Sequence, residues 1–102
     1  MNTTIKLEND NQVVYFEGRL DTSVAPQVNQ DVLPVMENTE HDIILDCSKL
    51  DYISSSGLRI FLSILKNAKS KGRHVFIRGI NADITKVFKM TGFFNLFEFL
   101  GQ

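Results

Sequence analysis

Apolar and polar positions alternate along the first twenty residues. Ile5 and Leu7 alternate with polar neighbours, which predicts a short first strand. Asn9-Asp10-Asn11 is a turn signal. A second run then places Val14, Phe16, Gly18 and Leu20 on one face and Val13, Tyr15, Glu17 and Arg19 on the other, so the two segments read as a hairpin. The period then changes. Val24, Val28, Val32, Val35 and Met36 recur at close to helical spacing, behind the cap candidates Asp21-Thr22-Ser23 and with Pro26 in the first turn. Pro34 lacks an N–H and clashes with the preceding turn, so it ends or bends this helix near Leu33.

Residues 42–47 form a compact apolar run that fits a central strand, and Ser48-Lys49-Leu50-Asp51 reads as a short connection. From Ser56 to Lys71 the pattern is strongly helical. Leu58, Phe61, Leu62, Leu65 and Ala68 make a stripe that Ile60 and Ile64 widen, while Arg59, Ser63, Lys66 and Ser70 mark the wet face. Gly72 is placed to end this helix. Val75-Phe76-Ile77 is the next strand. Asn81 caps a short helix with Ile84, Val87, Phe88 and Thr91 on one face, ended by Gly92. Leu96 to Leu100 reads as a last strand or a strand-like tail, and Phe93-Phe94 as core closure. The order β-β-α-β-α-β-α-β predicts an α/β fold: a mixed, mostly parallel sheet with an N-terminal hairpin and helices packed against it.

The chain has 102 residues, enough for one domain and one modest core, and no linker or repeat divides it. Hydrophobic residues make up 43% and charged residues 23%, an ordinary globular composition. A net charge of −1 gives no field for nucleic acid or an anionic membrane. Lys66, Lys69, Lys71, Arg73 and Arg78 do cluster, as cations complementing a helix C-terminus. No apolar stretch reaches bilayer length and no signal peptide is visible, so the expected location is the cytoplasm, without membrane insertion. The single cysteine, Cys47, reads as a small buried hydrophobe, and His41 and His74 as strand-edge residues; no spacing suggests a metal site.

The chemistry concentrates at Ile53-Ser54-Ser55-Ser56-Gly57, where a strand gives way to a helix. A helix start offers free N–H groups and a positive dipole end, so a phosphate is tolerated there. A nucleophile elbow wants Gly-x-Ser-x-Gly, but Ile53 stands at the first glycine position. No nucleotide-binding glycine loop is present either, so any phosphate on Ser55 comes from a nucleotide carried by another protein. Plain N-capping accounts for one serine, worth about 1 kcal/mol. It leaves the other two and the glycine open to a second role. Ser55 is therefore read as a phosphate acceptor and not as a nucleophile, with Ser54 and Ser56 as alternative acceptors.

The segment from Leu45 through Asp46-Cys47-Ser48-Lys49-Leu50-Asp51-Tyr52-Ile53-Ser54-Ser55-Ser56-Gly57-Leu58 to Arg59 resembles the signature of STAS domains, the anti-sigma factor antagonists and their relatives. Phe16-Glu17-Gly18-Arg19-Leu20-Asp21, followed by Ala25-Pro26, is similar to the family's second strand and first helix entry. The usual motif is Asp-Ser-Ser/Thr/Ala-Gly with the first serine or threonine phosphorylated. Ser55 takes the acceptor position, and Ser54 stands where many members carry aspartate.

The resemblance implies a single STAS domain over residues 1–102, non-enzymatic and without a cofactor. It would dock unmodified on an anti-sigma factor that is also a serine protein kinase, and release it when phosphorylated. A PP2C-like phosphatase would reset the switch. The implied partner-binding residues are Asp21, Thr22, Ser54, Ser55, Ser56, Gly57 and Arg59. The alternative it implies is a constitutive interaction subunit of a transporter or signalling assembly.

Overall fold

A computed structural model describes residues 1–101. The hairpin consists of β1 (Asn2–Glu8) and β2 (Asn11–Leu20), paired antiparallel. The turn between them puts Asn9 and Asp10 at φ 48° and 66°, the left-handed region that short polar side chains tolerate. The strands β3 (Asp42–Ile53), β4 (Val75–Arg78) and β5 (Glu98–Leu100) add on in parallel, giving the sheet order β1-β2-β3-β4-β5. The helices are α1 (Ala25–Asp31), α2 (Leu33–Glu37), α3 (Ser55–Ser70) and α4 (Ala82–Met90), with a 3₁₀ turn at Phe93–Asn95. This is the mixed, mostly parallel α/β architecture that the sequence predicts.

The first helical region is two helices and not one. Pro34 falls in the first turn of α2, where its missing N–H costs nothing, so the chain breaks at Val32. The cap of α1 also differs from expectation. Its N-cap residue is Val24, which makes no side-chain bond. Asp21 instead folds the preceding turn, accepting from Ser23 N at 3.0 Å, Ser23 Oγ at 2.6 Å and Val24 N at 3.3 Å.

Ser48-Lys49-Leu50-Asp51 is strand, not a connection. β3 continues to Ile53, pairing Glu17 with Lys49, Gly18 with Leu50, Arg19 with Tyr52 and Leu20 with Ile53. Register shifts between Tyr15 and Glu17, and between Gly18 and Arg19, each insert one extra β3 residue. Buried positions therefore fall at Leu45, Cys47, Leu50 and Ile53, and the lost period of two hides the strand from pattern reading.

One face of the sheet carries the helices. Val14, Phe16, Ile43, Leu45, Val75 and Ile77 pack there against Leu58, Phe61, Ile64 and Leu65 of α3, and Ile84 and Phe88 of α4. Phe61 lies 5.1 Å from Phe16 and 6.2 Å from Phe88, ring centre to ring centre, so aromatic contact runs from sheet to α4 through α3. Phe94 stacks on Phe99 at 4.6 Å, which makes the Phe93–Phe94 pair a closing layer, as read from the sequence. Leu62 is only half buried; Ile60 and Ile64 are the deeper members of the α3 stripe.

Among the described residues the opposite face has no helix, yet Val13 on it is fully buried. That face carries a polar network. The Tyr15 hydroxyl donates to Glu8 Oε2 at 2.6 Å. Arg78 reaches across from β4, donating to Asp46 Oδ2 at 2.6 Å and to the Tyr15 oxygen at 3.2 Å. Among the clustered cations, Lys71 donates to the Met36 and Asn38 carbonyls and Arg73 to that of Glu40, so these cations bind the fold's own carbonyls.

Candidate functional site

β2 and β3 end side by side at Leu20 and Ile53, and the chain turns there into α3. Ser54 makes the turn. Its backbone N and its Oγ both donate to the Leu20 carbonyl, at 2.9 and 3.0 Å, and the same Oγ accepts from Gly57 N at 3.2 Å. Ser54 is thus the N-cap of α3, with its hydroxyl used in both directions. An aspartate here would keep the cap but set a carboxylate against the Leu20 carbonyl. The serine at this position has a donor's job that an ionised aspartate cannot do.

Ser55 is the first helical residue. It is exposed, and no hydrogen bond to its hydroxyl occurs among the described residues. Ser56 is half buried and its Oγ lies 3.4 Å from Thr22 Oγ1, linking the start of α3 to the turn before α1. Gly57 is buried, which removes it from the contact surface expected of it. A Cβ on Gly57 would stand 2.7 Å from Leu20 Cγ and 2.8 Å from Ile53 Cγ1. The glycine lets α3 seat directly on the strand ends and so fixes how far Ser55 projects. Arg59 is exposed one turn on from Ser55.

The electrostatics favour an anion at Ser55. No acidic side chain lies in the first turn of α3, so the dipole there is not already answered. Asp21, in the neighbouring turn, has its carboxyl held below the ordinary aspartate range, chiefly by the Ser23 hydroxyl and then by the Val24 and Ser23 N–H groups.

Asp21, Thr22, Ser54, Ser55, Ser56 and Arg59 therefore gather at one end of the molecule. Between α1 and α3 runs a shallow groove of about 320 Å³, which Pro26 and Asn29 line together with Thr22, Ser56 and Arg59. Sequence reading missed Asn29 as part of this site, because nothing in the pattern says which face of α1 meets α3. A larger hollow of about 440 Å³ lies on the helix-free face beside Tyr15, Asp46 and Lys49. Its acidic groups are already engaged: Asp46 by Arg78 and by Ser48 N at 2.9 Å, and Glu17 by Lys49 at 3.6 Å.

These features define a small α/β module that presents one hydroxyl at a helix tip beside a shallow groove. Residues 3–101 match the family model of the STAS domain, and the chain belongs to that family. It is 27% identical over 75 residues to the anti-sigma-B factor antagonist of Staphylococcus epidermidis, covering 74% of this chain and 69% of that protein. Among solved structures, an anti-sigma factor antagonist STAS domain protein of Planctomyces limnophilus superposes with a TM-score of 0.88 at 14% identity, covering 98% of this chain and 89% of the other. The Bacillus cell fate determinant SpoIIAA in its phosphorylated form gives a TM-score of 0.72 at 16% identity, covering 99% and 93%. No helix among the described residues is long and apolar enough to cross a membrane.

Proposed function

We propose that the chain is an anti-sigma factor antagonist that switches partners through phosphorylation of Ser55. The observation that carries this is the free, exposed Ser55 hydroxyl at the start of α3, between a Ser54 consumed by capping and a Ser56 turned toward Thr22. Ser54 and Ser56 are correspondingly poorer acceptors. The name of the Staphylococcus relative and the phosphorylated form of the SpoIIAA neighbour support the reading.

In this reading residues 1–102 act as one domain in the cytoplasm. The unmodified tip, with Asp21, Thr22, Ser56 and Arg59 around Ser55, docks on an anti-sigma factor that is itself a serine kinase. Its nucleotide supplies the phosphoryl group. Phosphate adds roughly −1.5 to −2 charges at the contact. A loss of about 3 kcal/mol there weakens binding roughly a hundredfold and releases the kinase. A PP2C-like phosphatase restores the hydroxyl. The domain itself performs no catalysis.

The test is binding of the anti-sigma kinase to three forms of the protein. Ser55→Ala is expected to bind as wild type and to resist release by ATP; Ser55→Asp is expected to bind far more weakly. Full binding by Ser55→Asp, with no phosphate found on Ser55, would refute the switch and leave a constitutive interaction subunit.

A further inference from the structure

The sheet has two free edges. β5 offers three residues, and β1 offers seven whose outward backbone groups pair with nothing among the described residues. Such an edge is a template for another strand. At its far end stands Leu7, 62% exposed, an apolar side chain that no element of the chain covers. We propose that β1 pairs antiparallel with β1 of a second copy, with the two-fold axis at Leu7.

The choice of occupant and register comes from the order of charges. In a two-fold antiparallel pair, each residue faces one of the same parity, so that side chains stay on matching faces. Centring on Lys6 sets two lysines against each other. Centring on Ile5 sets Lys6 against Thr4 and Glu8 against Asn2, and pairs no charges. Centring on Leu7 sets Lys6 of each copy against Glu8 of the other, twice, and closes the two exposed leucines on one another. A lysine in the middle of an edge strand repels edges at large. It is answered only by a strand carrying a carboxylate at the facing position, and β1 carries that carboxylate two residues on. Lys6 thereby selects this edge over others.

The geometry leaves room for it. Glu8 uses Oε2 for the Tyr15 hydroxyl at 2.6 Å, while Oε1 has only Arg78 at 3.8 Å. The turn at Asn9 and Asp10 limits the paired segment to residues 6–8, a small contact of the weak, reversible class. Leu7 pairs with Gln12, at the opposite end of β2 from Leu20, where Ser54 is anchored. Both Ser55 tips of the dimer thus stay open to their own partners.

Sedimentation equilibrium of the purified protein, from micromolar to millimolar, tests this. The wild-type mass is expected to rise toward twice the monomer and to fall back on adding salt. Leu7→Lys should remain monomeric. Lys6→Glu and Glu8→Lys should each self-associate about tenfold more weakly or less, since each sets like charges face to face. An equimolar mixture of these two variants should regain the association that neither shows alone. Circular dichroism checks that each variant folds. Glu8→Lys also loses the Tyr15 bond, so if it unfolds, Leu7→Lys and Lys6→Glu decide. A wild type that stays monomeric throughout overturns the proposal, as does a dimer unmoved by Leu7→Lys and the charge reversals.

Discussion

Ser54, Ser55 and Ser56 have the same side chain and differ in what surrounds it: one caps the helix, one faces solvent, one leans on Thr22. Their substitutions should therefore separate. Ser54→Ala loses the acceptor for Gly57 N and the donor to Leu20, and a urea titration should show it less stable by about 1 kcal/mol. Ser55→Ala removes no hydrogen bond and should stay within about 0.5 kcal/mol of wild type in the same titration. Loss of switching without loss of stability at Ser55, and the reverse at Ser54, is the pattern expected of a modified residue beside a structural one. A Ser55→Ala protein that unfolds early would make this serine part of the cap instead.

At the scale of elements, the site depends on how α3 meets the ends of β2 and β3. Gly57→Ala puts a methyl group into space held by Leu20 and Ile53, and overpacking of this kind costs about 1–3 kcal/mol. Thermal unfolding should register the loss, and binding to the proposed kinase partner should weaken as well because the tip is displaced. An alanine variant with wild-type stability would show that α3 has slack at this point. The helix itself was legible in the sequence, since Leu58, Phe61, Ile64, Leu65 and Ala68 keep a regular stripe over about three turns. So was the serine turn at its start. The second half of β3 was not, because two bulges replace strict alternation with buried positions three apart. The split of α1 from α2 was half legible: Pro34 announced a break, but not that a second helix would resume around it. The groove between α1 and α3 depends on their mutual rotation, which no local pattern encodes.

The whole molecule is a sheet covered unequally, by helices on one face and by paired charges on the other. Asp46 is 7% exposed. Burial works against its charged form, but the Arg78 hydrogen bond, the Ser48 N–H and the Arg78 charge together hold its carboxyl below the ordinary aspartate range. Its contribution to stability is therefore complete above the unfolded value of about 3.9. It disappears as pH falls through the lower folded value, where the folded carboxylate takes up its proton. Acid titrations of stability should show this step in wild type and a smaller one in Asp46→Asn. Arg78→Met leaves the carboxylate without its ion pair; a loss of about 2 kcal/mol at neutral pH is expected. Unchanged stability in Arg78→Met would mean that the Arg78–Asp46 pair contributes nothing net to the fold. This network lies on the face away from the helices, and Arg78→Met should leave Ser55 presentation untouched. Ser55 lies at the end of β2 and β3 away from the hairpin turn, and one measurement addresses its role directly: mass-spectrometric mapping of the protein after incubation with the proposed anti-sigma kinase and ATP. The expected result is a single phosphate on Ser55, absent from Ser55→Ala. Phosphate on Ser54 or Ser56 instead, or none on a protein that still binds the kinase, would contradict the account.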